Sequence, residues 1–125
     1  TTPTLKAVAV AVAMKKCSLS VGAVFGKAVL ANWLVCLAMF NASRATSITG
    51  KMVGIWLPIS SFVVLGFEHS VANGFLLPLG VLSGAPIGWL DIWTVNIVPA
   101  LAGNLVGGGV LLGFSGWYAH RKHLQ

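Results

Sequence analysis

Residues 52–85 read MVGIWLPISSFVVLGFEHSVANGFLLPLGVLSGA, and the fold turns on how this stretch is interpreted. Its apolar character runs for more than thirty residues. At ~1.5 Å of rise per residue, a straight helix of that length overshoots a hydrocarbon core of about 30 Å. Near its centre stands Glu68-His69-Ser70, the most polar tripeptide in the apolar part of the chain. Asn73-Gly74 follows closely, and Pro58 and Pro78 flank the group. A continuous helix would carry Glu68 and His69 to mid-membrane, where an acidic residue costs about 2.5–3.5 kcal/mol on insertion scales. Two half-helices joined by a short irregular segment are tolerated there if the segment is buried in protein or lines a cavity. The sequence therefore predicts a broken span over 52–85, with its break near 68–73.

Working outward, two more apolar stretches, 19–41 and 93–118, exceed the ~18 residues a spanning helix needs. Of the 125 residues 57% are hydrophobic and 8% charged, where a soluble domain carries about a quarter charged. A chain this short has no room for the polar shell that three buried helices would require. Net charge is +6, from eight Lys and Arg against Glu68 and Asp91. No basic stripe interleaves with aromatics, so nucleic acid is not an expected partner. The charges gather at the ends of apolar stretches, which points to topology and to anionic lipid headgroups. Cys17 and Cys36 have no metal-like spacing, and Cys36 is expected to pack as a small hydrophobe.

The expected organisation is a single membrane domain. Residues 1–18, interrupted by Lys, form an external or interfacial segment, and 19–41 a span. A polar cytoplasmic loop, 42–51, precedes the broken span 52–85; 86–92 is an external loop, 93–118 a span and 119–125 a cytoplasmic tail. Arg44 and Lys51 in the first loop, with Arg121 and Lys122 in the tail, set this orientation by the positive-inside rule. The lysines of 1–18 then lie outside, against that rule, where fixed positive charge would suit an anion pathway. Asn41-Ala-Ser43 also fits a glycosylation acceptor, a pattern short enough to arise by chance. Gly22 and Gly26, Gly103 and Gly107, and Gly109 and Gly113 repeat the four-residue spacing that lets helices approach closely in lipid. Trp89 and Trp93 suit an interfacial belt, and His120–His123 a basic headgroup anchor. No cleavable signal pattern opens the sequence. Its first residue, Thr1, is not Met, as in a fragment or a trimmed chain.

Three segments resemble signatures of the formate/nitrite transporter family: Asn32-Trp-Leu-Val-Cys-Leu-Ala38, Gly66-Phe-Glu-His-Ser-Val-Ala-Asn73 and Asn96-Ile-Val-Pro-Ala-Leu-Ala-Gly-Asn104. They occur in the family's order, within a resemblance that covers about residues 16–120. The resemblance implies an all-α integral membrane protein with an aquaporin-like fold. This chain would be one inverted repeat of three spans, the fourth to sixth, its middle helix broken. It further implies pentamers with one pore per protomer. The family's central pore histidine falls on His69, the aromatic of its external constriction on Phe62, its vestibule lysine on Lys16 and its pore-facing asparagine on Asn32. The first three spans are absent, and with them the other broken helix and its pore-facing threonine. The chain is therefore expected to be an incomplete domain.

The residue chemistry sets alternatives beside these roles. His69, ordinarily titrating near pH ~6.5, either supplies a proton to a weak-acid anion at the centre or ties broken backbone together. Half-helix N-termini nearby would attract the same anion. An ionised Glu68 facing the pore would repel that anion, so a structural role at the break is expected, turned toward a neighbouring helix or His69; a proton relay is the other option. Ser70 and Asn73 suit backbone groups freed at the break, and Asn73 equally suits the pore wall. Phe62, two helical turns before His69 on the same face, is a lipid-facing or core side chain by its residue chemistry alone, or a dehydrating gate as the resemblance implies. Asn32 and Asn104 either bond across helices or line the pathway, Asn32 being the better pore candidate. Lys16 is a solvated charge or an anion-concentrating one. Gly103, Gly107 and Asn104 are expected to serve helix packing.

The function expected is transport of small monovalent anions, formate, nitrite or similar, as a channel or with proton linkage. The setting is multi-pass, in the plasma (inner) membrane, with lipid and further copies of the chain as partners. The competing readings are a non-transporting fragment and a membrane-anchor subunit of a redox complex. Haem needs paired axial ligands in the spans, and only His69 lies in one. No nucleophile–base pair, phosphate loop or second carboxylate for acid–base work is present, so no enzyme, cofactor or metal is expected.

Overall fold

The computed structural model describes residues 2–121 as a helical bundle, with no strand among them. Helix α1, Pro3–Cys17, opens with Pro at its first position, where the missing N–H would have had no helical partner. Lys15 and Lys16 lie in its last turn, favourable at the negative end of the helix dipole. Helix α2, Val21–Arg44, is capped by the Ser20 hydroxyl, which accepts from the Ala23 N–H at 3.3 Å. Helix α3, Ile48–Val64, begins in the same way, with the Ser47 hydroxyl accepting from the Gly50 N–H at 3.1 Å. The linker expected over 42–51 is therefore only 45–47. Its polar residues are mostly cap and terminal-turn residues of the flanking helices.

The stretch 52–85 lies in two helices, because two glycines stop them. At Gly66 the backbone takes a φ of +61°, in the left-handed region where a side chain is strained. The Phe67 N–H reaches back to the Phe62 carbonyl at 3.2 Å, and the Gly66 N–H to that of Val63 at 3.1 Å. This paired Schellman closure ends α3. Helix α4, Ser70–Leu82, ends identically: Gly84 has a φ of +102°, and the Ala85 and Gly84 N–H groups bond the Gly80 and Val81 carbonyls, each at 3.0 Å. The break thus occupies 65–69. Ser70 to Asn73, placed within it by sequence reasoning, form the first turn of α4.

Helix α5, Trp89–Ala119, is continuous but unevenly wound. It widens to π geometry over Ile92–Ile97 and again over Val106–Phe114. Pro99 accounts for the first widening. It offers no N–H to the Val95 carbonyl and its ring crowds that oxygen, so the Val98 N–H reaches back to Trp93 instead. The second coincides with the Gly107-Gly108-Gly109 run, where side chains impose little on the winding.

The directions of the helices follow from their contacts. Ala13 of α1 lies against Gly80 of α4, while Lys16 reaches Glu68, so α1 and α4 run antiparallel. Along α2 and α5, Phe25 and Ala28 meet Gly103 and then Val29 meets Gly107, so these two run parallel. The helices touch through small residues: Ala13, Ala28, Ala31, Ala38, Ala100, Gly80, Gly103 and Gly107 are all buried. Such contacts let dispersion and backbone proximity hold helices together where lipid removes the hydrophobic drive. Gly22, Gly26 and Gly109 are different: a Cβ on any of them meets nothing within 4 Å, so these expected contact glycines face outward. Residues 1–18, expected at the periphery, contribute the fully buried Ala13 to the bundle. Large apolar side chains cover the outside, Ile48, Val64 and Val71 each more than three-quarters exposed. Helices α2 and α5, both of mean hydropathy 1.8, are long and apolar enough to cross a membrane.

Candidate functional site

The break between α3 and α4 gathers most of the buried polar groups. Glu68 is buried, 2% exposed. Its two carboxylate oxygens accept from the Lys16 ammonium at 3.0 and 3.1 Å, joining the break to the end of α1. One of them also accepts from the side-chain amides of Asn73 at 2.5 Å and Asn96 at 3.2 Å. Asn96 donates further to the Lys16 backbone carbonyl at 3.2 Å and accepts from Asn73 at 2.7 Å. A buried carboxylate with one cation and two amide donors is electrically balanced and saturated with hydrogen bonds, which is what makes its burial tolerable. Glu68 therefore turns toward neighbouring helices. Lys16 is committed to it rather than standing free as a solvated charge.

A second hub is Asn104 on α5. Its side-chain oxygen accepts from both the backbone N–H and the hydroxyl of Ser70, each at 2.8 Å. Its amide donates to the Ala28 carbonyl at 2.8 Å and the Glu68 carbonyl at 3.3 Å. The Asn104 backbone carbonyl in turn accepts from Asn32 Nδ2 at 2.7 Å. Asn32, the expected pore asparagine, thus spends an amide hydrogen on bridging α2 to α5, at the entrance to the second π segment.

His69 occupies the N-cap position of α4 with an extended backbone (φ −127°, ψ 121°), yet its ring makes no capping bond. The half-buried imidazole lies instead beside the Phe62 ring, with centroids 5.9 Å apart and planes tilted by 56°. Two turns of unbroken helix would separate residues seven apart by about 10.5 Å along the axis. The break, and not helical periodicity, brings this pair together. Asn73 is fully buried, and its Oδ1 has no hydrogen-bond partner among the described residues. Beside the break lies a cavity of about 560 Å³, with Phe62, Glu68, Asn73, Lys16 and Lys27 in its wall.

Of the residues singled out from sequence, the structure brings Lys16, Glu68 and Asn73 into one network, Ser70, Asn104 and Asn32 into another, and Phe62 and His69 into a ring contact. Gly103 and Gly107 lie apart from these, at the α2–α5 contact. Asn96, which sequence reasoning left without a role, is the α5 contribution to the Glu68 network. Its signal was available: a largely apolar context and a proline three residues later.

The formate/nitrite transporter family profile matches residues 1–118. The chain belongs to the formate/nitrite transporter family. It is 44% identical over 105 residues to a probable formate transporter of Methanothermobacter thermautotrophicus, covering 84% of this chain and 38% of that protein. With a formate channel of Bacillus thuringiensis it shares 39% over 113 residues, 90% of this chain and 43% of the relative. The chain therefore spans about two fifths of the length of these curated relatives. Its fold superimposes on a pentameric formate channel with formate bound at a TM-score of 0.82 and 30% identity, covering 93% of this chain and 52% of that one. For an ion channel of the same family the TM-score is 0.83 at 34% identity, covering 90% and 45%. Membership in this family, together with the apolar helices, makes the chain a membrane protein, and nothing among these relatives favours the redox-anchor alternative.

Proposed function

We propose that the chain forms part of a transmembrane pathway for small monovalent anions, formate or nitrite among them, with His69 at its centre. The observation that carries this reading is the break itself. It ends one half-helix and starts another beside a cavity walled in part by Phe62 and Glu68; His69, outside that wall, lies against the Phe62 ring, and Glu68, the only buried carboxylate of the described residues, is neutralised by Lys16. A wall built this way does not present negative charge to an anion, and its aromatic can exclude water above the imidazole. A histidine there can hand a proton to a weak-acid anion, which leaves channel-like and proton-linked passage as two regimes of one site. The formate transporter and formate channels to which the chain is similar support the substrate class.

In this reading the chain is one three-span repeat of an aquaporin-like protomer, with residues 42–51 and 119–125 in the cytoplasm, multi-pass in the plasma (inner) membrane. The pentameric relative supports a pentamer of protomers. Residues 122–125 of the basic tail lie outside the described residues; Arg121 stacks its guanidinium over Tyr118 at 4.0 Å, as an interfacial anchor would.

The test is formate and nitrite uptake by liposomes containing the purified protein, at about pH 5.5 and about pH 7.5, with His69→Ala alongside. Uptake that varies with pH in the parent and loses that dependence in the variant supports the reading. Uptake no faster than into empty liposomes would exclude transport by this chain alone.

A further inference from the structure

Lys27 is a charge on the cavity wall that neither network uses. It is the seventh residue of α2, about 10 Å inside that apolar helix at ~1.5 Å per residue. A lysine at such a depth either snorkels to the headgroups or faces the bundle interior and a water-filled cavity. Here it is half-buried and turns to the cavity, on its solvent-accessible side. Its ammonium reaches into the break and donates to the Gly66 carbonyl at 3.5 Å, and it stands in the wall of the same cavity as Phe62, Glu68 and Asn73.

Charge counting gives this position its meaning. Lys16 and Glu68 are 3.0 Å apart and cancel. Lys15, also on the wall, is exposed, where solvent and salt screen it. Gly66 belongs to the closing turn of α3, whose carbonyl end carries a partial negative charge of about half an electron. That end is directed at the break and by itself would repel an anion. Lys27 meets it with a full positive charge, and a neutral carbonyl leaves that charge uncompensated.

We infer that Lys27 is a specificity-determining residue of the pathway: it reverses the negative potential of the α3 end and holds the cavity positive for a small monovalent anion. This rests on the transport reading above. The selectivity filter of this half is then divided between two lysines of opposite duty, one neutralising a buried carboxylate and one left to the permeant ion.

The experiment compares the parent protein with Lys27→Met, Lys27→Gln and Lys27→Arg in two measurements. The first is formate binding to the detergent-solubilised protein, followed by carbon-13 formate line broadening. The second is uptake of formate and of formamide, a neutral molecule of similar size, into liposomes. Removing a unit charge at this range should weaken formate binding roughly tenfold in the Met and Gln variants. Lys27→Arg should restore it, while formamide uptake stays level across the series. Equal formate binding by the parent and both neutral variants, no binding by the parent, or a parallel fall in formamide uptake overturns the inference. A parent that binds formate with this dependence but does not take it up would refute transport by the chain and leave the role of Lys27 standing.

Discussion

The Asn104 side-chain oxygen caps α4 from another helix, accepting the Ser70 backbone N–H and the Ser70 hydroxyl at 2.8 Å each. A helix is ordinarily capped by the residue preceding its first turn. Here that residue is His69, whose ring makes no capping bond and lies beside Phe62. Supplying the cap from α5 leaves the imidazole available for other chemistry at the break between α3 and α4.

Asn104→Leu keeps the approximate size of the side chain and deletes the cap. It strands the Ser70 N–H and the Glu68 carbonyl, and removes the amide's added bond to the Ala28 carbonyl, an interior acceptor of α2. Unsatisfied buried groups of this kind cost about 1–3 kcal/mol each, partly relieved by relaxation. We expect a loss of roughly 2–4 kcal/mol, read as a lower midpoint in reversible SDS unfolding from mixed micelles. An unchanged midpoint would mean that Asn104 is not a cap in the membrane.

The Lys16–Glu68 pair should behave as a unit. Glu68 is 2% exposed and the Lys16 side chain 16%. Lys16→Met leaves a buried carboxylate without its cation, which costs about 3–5 kcal/mol for a pair of this kind. Adding Glu68→Gln to that variant removes the stranded charge while keeping acceptors for Asn73 and Asn96. The double variant should therefore be more stable than Lys16→Met alone. Additive losses across the cycle would show that the two side chains do not interact in the folded protein.

Much of this arrangement is legible in sequence, for identifiable reasons. An apolar run too long for one span, with Glu68-His69-Ser70 inside it, has few solutions in lipid, so a break follows from desolvation cost alone. Its placement does not, because attention falls on the polar residues while the stop is set by Gly66, one letter in an otherwise apolar stretch. The Phe62–His69 proximity is expected from helical periodicity but arises across the break instead. Partners across helices are harder still. Nothing local in Asn32, Asn96 or Asn104 says whether an amide faces a pore or a carbonyl, since that depends on the winding Pro99 imposes and on residues 23 to 80 positions away. Glycine spacing is legible only as a motif: it fits Gly22 and Gly26 as well as Gly103 and Gly107, and only the second pair lies against another helix of the chain.

That contrast can be measured. At Gly107 a methyl group would overlap the Val29 carbonyl, backbone that cannot move without shifting α2. Gly107→Ala should cost about 1–3 kcal/mol, the range for overpacking a tight contact. At Gly109 a Cβ meets nothing within 4 Å. There the substitution acts only through helix propensity, which favours Ala by up to about 1 kcal/mol. The two variants, two residues apart on one helix, should therefore shift the unfolding midpoint in opposite directions. A matching loss at both positions in the bilayer would instead show that the Gly109 face is covered in the assembled protein, as a contact between protomers requires.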